Sequence, residues 1–172
     1  EKERSVGLGV MGFHSYLQKN NIPLESVMSK VWNKKIFKHI QEQVDQSSKD
    51  LADERGACPD AADYGFKERF SNKTAIAPTA SISVICGGAS PGVEPVAANS
   101  YTHKTLSGSF NVRNRYLQDL LEKHGKNTDE VWSTITTNQG SVSHLEFLTD
   151  IEKDVFKTAF ELDQKWIIEL SG

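Results

Sequence analysis

One stretch of this chain carries almost no charge. From Thr74 to Val96 the only charged side chain is Glu94, in a protein in which 25% of residues are charged. The same stretch holds three prolines, Pro78, Pro91 and Pro95, and three glycines, Gly87, Gly88 and Gly92. Small and hydroxyl side chains fill much of the rest. It does not read as a linker, because Ile76, Ile82, Val84, Ile85 and Val93 are apolar enough to call for burial. A charge-free, glycine-rich segment in a charged chain predicts backbone lying deep in a protein and close to a ligand.

The remainder reads as helix. Gly7, Gly9 and Gly12 punctuate the start, with a helix beginning among them and running to Gln18. Asn20-Asn21 break it, and Pro23 suits the first turn of the next helix. Val27, Val31, Phe37, Ile40, Val44 and Leu51 then recur near helical spacing, which predicts one long amphipathic helix ending near Arg55-Gly56. Gly56 to Gly65 reads as loop. Further on, Leu117, Leu120 and Leu121 share a helical face, and Gly125 is placed to end that helix. Asn127-Thr128-Asp129-Glu130 and Thr149-Asp150-Ile151-Glu152 both resemble capping boxes. A last helix is predicted to carry Val155, Phe156, Ala159, Leu162, Trp166, Ile167 and Leu170.

With 172 residues the chain can bury a core as one domain or as part of a larger one. Its 20 Lys+Arg against 23 Asp+Glu give a net charge of -3, which argues against a nucleic-acid surface. A small anionic ligand needs only a few local donors and stays open. No apolar run approaches the ~18 residues of a membrane span, and no secretory leader is visible. Cys58 and Cys86 form no Cys-x-x-Cys motif and read as free thiols in a reducing cytoplasm.

Three patterns could carry chemistry. Gly7-Leu8-Gly9-Val10-Met11-Gly12 matches the spacing of a dinucleotide-binding fingerprint. That fingerprint needs a preceding strand, and only six mostly charged residues precede Gly7. Close packing of small residues explains it more simply. The five histidines, His14, His39, His103, His124 and His144, show no metal-ligand spacing. The third pattern is Ala75-Ile76-Ala77-Pro78-Thr79-Ala80-Ser81-Ile82-Ser83, with hydroxyls at alternate positions and no acid nearby. Backbone N–H groups and hydroxyls at such a turn can hold phosphate oxygens without a lysine. A Ser/Thr-rich strand or turn in a core is the other reading.

The run Asn72 to Ser83, followed by Ser90-Pro91-Gly92-Val93-Glu94-Pro95, resembles the signature of the ribonucleotide reductase large subunit, aerobic class I. Arg4 to His14 resembles the family segment upstream of it. Lys104-Thr105-Leu106-Ser107-Gly108-Ser109-Phe110 and Asp163-Gln164-Lys165-Trp166 are similar to later family segments. The resemblance covers nearly the whole chain.

It implies an α/β, helix-rich fold: residues 1–172 as a single segment of a ten-stranded α/β barrel, with a phosphate-binding loop around residues 75–95. It implies reduction of ribonucleoside diphosphates to deoxyribonucleoside diphosphates by radical chemistry. The substrate's phosphates would rest on Pro78, Thr79, Ala80, Ser81 and Ile82. The backbone N–H groups of Ala80, Ser81 and Ile82 would face them, and Thr79 and Ser81 would add hydroxyls. The finger-loop cysteine, the paired tyrosines of the radical path and the redox cysteines have no counterpart in these residues. No catalytic residue is therefore assigned to this chain, and it is not expected to act alone. The resemblance implies no cofactor on this chain, with a metal-radical small subunit and an external thiol reductant serving the whole enzyme. The implied partners are the diphosphate substrate, the remainder of the large subunit and the small subunit, with neither nucleic acid nor membrane and a cytoplasmic setting. The alternative is a non-catalytic helical module that completes a partner chain.

Overall fold

The computed structural model describes residues 2–105 and 108–171. The chain divides into two compact units. One runs through Val10 and covers Val31–Ala77; the other comprises Met11–Lys30 and the chain from Pro78 on.

In the first unit two extended segments pair in parallel. Val6 N–H donates to Asn72 O at 2.9 Å, Leu8 N–H to Lys73 O at 3.0 Å and Ala75 N–H to Leu8 O at 3.1 Å, with a parallel bridge between Leu8 and Thr74. Parallel neighbours require a long crossover connection, and the chain between these two carries the helix α2 (Val27–Arg55). Its end falls at Arg55, as the periodicity predicts. Arg69 closes that end, its Nη1 donating to the Arg55 and Gly56 carbonyls at 3.0 and 3.1 Å. The buried positions are partly polar: Ser48 is 1% exposed and its hydroxyl accepts from the N–H groups of Arg69 and Phe70. Cys58 is buried at the start of a short helix, α3 (Pro59–Asp63), so residues 56–65 are not all loop. Pro59 at the first helical position explains the helix: its fixed φ suits that place and its missing N–H costs nothing there.

The second unit holds α1 (Phe13–Lys19) and the first turn of α2. Pro23 lies four residues before α2 rather than in its first turn. The Ser26 hydroxyl donates to Pro23 O at 2.6 Å and accepts from Ser29 N–H at 3.2 Å, so the start falls after Ser26. Val27 and Val31 are exposed and do not belong to a buried stripe.

After residue 78 come α4 (Ala80–Ile85) and an antiparallel hairpin, β1 (Ser100–Thr105) and β2 (Gly108–Arg113). Leu106 and Ser107 of the family-like run Lys104–Phe110 lie outside the described residues. Then follow α5 (Arg115–Lys123), α6 (Asp129–Thr137), α7 (Asp150–Val155) and α8 (Gln164–Ser171). The core of this unit is Leu117, Leu121, Trp132, Ile135, Val142, Leu145, Leu148, Val155 and Phe156.

Gly125 ends the helical run in the left-handed region at φ 63°, and Lys126 N–H reaches back to Leu121 O. The Thr149–Glu152 capping box is present. The one proposed at Asn127 is not: Thr128 caps α6, its side chain accepting from Val131 N–H, while Asn127 Oδ1 accepts from Trp132 Nε1 at 2.7 Å. The last predicted helix is two. Thr158 N–H and hydroxyl both donate to Glu161 Oε2, and this local turn competes with helix continuation past Phe156.

Candidate functional site

The hydroxyl-rich segment folds as a turn leading into α4. Thr79 sits at the N-cap in the left-handed region, φ 48° and ψ 26°, a costly conformation for a β-branched residue that surrounding contacts must impose. One such contact is visible. Thr79 Oγ1 accepts from Gly92 N–H at 2.7 Å. That occupies an acceptor position of the hydroxyl and leaves its O–H free to donate. Ala80, Ser81 and Ile82 are the first three helical residues, so their N–H groups have no acceptor inside α4. Ser83 is buried, its N–H donating to Thr79 O at 2.9 Å and its hydroxyl to Ala80 O at 3.0 Å. Pro78, Ala80, Ser81 and Ile82 are exposed and Thr79 is half-buried.

The expected burial of this region is not found. Ile76 is 80% exposed, Ile85 83%, Ile82 55% and Val84 39%. Only Ser83, Ser90 and Gly92 are buried between residues 75 and 95. The surface is open, with N–H groups at its turn. A cleft of about 500 Å³ elsewhere in the second unit is lined by Gln18, Lys19, Arg115, Tyr116 and Lys123 among others, and by none of residues 75–95.

No acid stands between Glu68 and Glu94. Lys73 is committed elsewhere: its Nζ lies 2.5 Å from Asp45 and 3.3 Å from Glu68. Burial works to lower the Lys73 ammonium, but the hydrogen bonds and charges of Asp45 and Glu68 outweigh it and hold it above its ordinary value. Arg115 does approach the segment. A Cβ on Gly87 would stand 3.7 Å from its Nη1. Sequence reading missed Arg115, which lies far along the chain in α5.

The Gly7–Gly12 motif resolves into packing, as the simpler reading has it, but around extended chain. A Cβ at Gly7 would meet Ala75 Cβ at 2.9 Å, and one at Gly9 would meet Ala75 O at 2.9 Å. Gly12 is the N-cap of α1 at φ 84°. It has no side chain to cap with, and Ser90 fills that role. Ser15 N–H donates to Ser90 Oγ at 3.2 Å, Ser90 N–H donates to Ser15 Oγ at 2.8 Å, and Gly12 N–H donates to Ser90 O at 2.8 Å. His14, fully buried, accepts from Val96 N–H through Nδ1 at 3.0 Å, and burial pushes its imidazole down to about 4.

A second polar knot lies between α1, α5 and α6. Asn99 Nδ2 donates to Gly140 O and Phe156 O at 3.0 and 2.7 Å. Its Oδ1 accepts from Asn114 Nδ2 at 2.8 Å, and Asn114 in turn caps α5 and donates to Gln18 Oε1.

The family model for the ribonucleotide reductase barrel domain matches residues 1–68 and 60–172. The chain belongs to the ribonucleotide reductase barrel-domain family. The ribonucleoside-diphosphate reductase large subunit of Invertebrate iridescent virus 6 is 47% identical over 173 residues, taking in 98% of this chain and 18% of that protein. The corresponding large subunit of Invertebrate iridescent virus 3 is 44% identical over 99% of this chain and 27% of its own length. Among solved structures, the class Id ribonucleotide reductase alpha subunit of Actinobacillus ureae matches with a TM-score of 0.89 at 42% identity, covering 99% of this chain and 30% of that one. The fold is thus a helix-rich partial segment of the family's barrel, and it spans less than a third of the length of these three relatives.

Among the described residues no group of three or more His, Cys, Asp or Glu side chains is placed to hold a metal ion. Among the described residues, too, no helix is long and apolar enough to cross a membrane. Cys58 and Cys86 are both free thiols, the first buried and the second exposed.

Proposed function

We propose that this chain supplies the substrate-diphosphate loop of a ribonucleoside-diphosphate reductase large subunit, and that residues 1–172 work as one segment of its catalytic barrel domain. Pro78, Thr79, Ala80, Ser81 and Ile82 form the loop. The N–H groups of Ala80, Ser81 and Ile82 and the hydroxyls of Thr79 and Ser81 hold the phosphates. The observation that carries this reading is the exposed turn at Thr79. It presents first-turn N–H groups in a stretch free of acids, with Thr79 held in a left-handed conformation by Gly92. Oriented N–H groups suit a phosphate, and an acid there would repel it.

The radical step belongs to residues outside these, to a metal-radical small subunit and to an external thiol reductant, so the chain by itself is inactive. A related 31% match is named a vitamin B12-dependent reductase, from Thermoplasma acidophilum, whereas the bacterial structure is named class Id. A segment common to both names suits a task that does not depend on the radical source, and holding substrate is such a task. The exposed Ile76, Ile82 and Ile85 are then covered by the remainder of the large subunit. The enzyme would work in the cytoplasm, supplying deoxyribonucleotides for DNA replication.

The test uses the full-length large subunit with its radical partner. Thr79→Ala combined with Ser81→Ala is expected to raise KM for CDP by about tenfold or more, with a smaller change in kcat. Unchanged kinetics would remove both side chains from the phosphate site.

A further inference from the structure

In an ordinary capping box the N-cap side chain accepts from the N–H at position N3, and the N3 side chain accepts from the N-cap N–H, all within four residues. α1 has the same reciprocal pair split across the chain. Its N-cap is Gly12, which makes no side-chain cap bond. Position N3 is Ser15, and its partner in both bonds is Ser90, 75 residues away. Ser90 Oγ takes the Ser15 N–H, Ser15 Oγ takes the Ser90 N–H, and Gly12 N–H closes on Ser90 O. Ser15 is 5% exposed and Ser90 0%, so water competes little for these bonds.

The box has a consequence two residues on. Gly92, held by the Ser90 anchor, donates its N–H to Thr79 Oγ1 at 2.7 Å. Thr79 is the left-handed residue from which the N–H groups of Ala80, Ser81 and Ile82 fan out. A continuous path therefore runs from α1 through Ser90 and Gly92 to Thr79. We propose that Ser15 and Ser90 form a capping box in trans that positions the substrate-phosphate loop. Neither residue touches substrate, and each acts through Gly92 and Thr79. The proposal rests on the phosphate-loop reading of residues 78–82.

The geometry makes a distinctive kinetic demand. Loss of folded enzyme lowers kcat at constant KM. Slack in the phosphate loop raises KM while leaving kcat for the bound substrate nearly intact. In the full-length large subunit with its radical partner, Ser15→Ala and Ser90→Ala are each expected to raise KM for CDP by about five- to tenfold, the equivalent of one lost hydrogen bond. Inhibition by inorganic pyrophosphate, a probe of the phosphate subsite alone, should weaken by the same factor. Ile135→Val, a core change remote from this path in sequence, serves as the control for general destabilisation and should leave both constants alone. Thr79→Ala removes the last link and separates the outcomes. If Thr79→Ala raises KM while Ser15→Ala and Ser90→Ala do not, the trans box does not position the loop and this inference falls alone. If none of the three moves KM or pyrophosphate inhibition, the phosphate-loop reading falls with it. If the serine variants lower only kcat, in step with lost folded protein, the box is structural and the inference is overturned.

Discussion

Asn99 offers a test of how the second unit is held together. Its side chain is 1% exposed and uses three hydrogen bonds, two donated by Nδ2 to Gly140 O and Phe156 O and one accepted by Oδ1 from Asn114. Asn99→Ala removes all three. Gly140 O keeps the Asn99 backbone N–H at 3.2 Å and Asn114 Nδ2 keeps Gln18, so two partners are left partly served. Phe156 O loses its side-chain donor. At about 1 kcal/mol for each bond the loss comes to roughly 3 kcal/mol. Asn99→Asp should be worse at pH 7, although the shape is nearly unchanged. It replaces the donor with an acceptor facing two carbonyl oxygens, and an ionised carboxylate cannot be satisfied there. The introduced carboxyl would have its folded-state value raised above its unfolded one. The damage is therefore least at low pH, while both states are protonated, and grows as pH rises through and beyond the unfolded value. The assay is local: hydrogen exchange by mass spectrometry on peptides covering residues 97–101 and 112–118 of the full-length subunit. A loss of roughly 3 kcal/mol speeds exchange of the Asn99 and Asn114 amides on the order of a hundredfold, since 1.4 kcal/mol is a factor of ten. A change below about threefold for Asn99→Ala, or an Asn99→Asp variant as well protected as the parent at pH 7, would refute the polar-knot account.

Two glycines at similar φ should respond differently to alanine. Gly140 has φ 83° and a Cβ there would stand 2.4 Å from Ala98 Cβ, whereas Gly125 has φ 63° and open space. Gly125→Ala should cost only the left-handed penalty of about 1–2 kcal/mol, and Gly140→Ala distinctly more; equal drops in melting temperature would contradict the close approach. His14 sets an acid limit. Its value of about 4 lies below the unfolded 6.5, so its contribution is fully present above pH 6.5 and lost as pH falls towards 4, by about 3 kcal/mol in all. Urea midpoints should show this slope, and His14→Asn, which keeps an acceptor for Val96 N–H but cannot titrate, should flatten it.

The sequence was legible where its signals were local. The spacing of Phe37, Ile40, Val44 and Leu51 located α2 and its end. Thr149 and Glu152 announced a capping box because both partners lie within one turn. The box at Ser15 stayed hidden because its partner lies 75 residues away. The last helix was overextended because an apolar spacing that continues through Phe156 and Leu162 says nothing about Thr158 and Glu161, whose bonds favour a turn. The hairpin Ser100–Arg113 passed unremarked, its first strand holding Tyr101 as its one large apolar side chain. The segment around Thr79 stands out by its missing charges, while the burial expected of its apolar residues is not found within these 172 residues. Ile76 and Ile85 are apolar yet 80% and 83% exposed, and apolarity alone does not place a side chain in a core.

That exposure bears on how the loop keeps its shape. Residues 76–86 hold one buried side chain, Ser83, so apolar packing within this chain cannot impose the left-handed Thr79. What remains is a set of directional bonds: Gly92 to Thr79, Ser90 with Ser15, and Val96 to His14. Apolar contacts let a segment slide at little cost, whereas a buried N–H must meet its acceptor within a narrow range of distance and angle. Three of these four bonds lead to α1, which begins where the Gly7–Gly12 motif ends. Those glycines, which by spacing alone suggest a nucleotide site, bring extended chain against Ala75 and start the helix that Ser90 caps. Gly12 thus begins the helix on which Ser15 meets Ser90, and Gly92, two residues on, reaches Thr79.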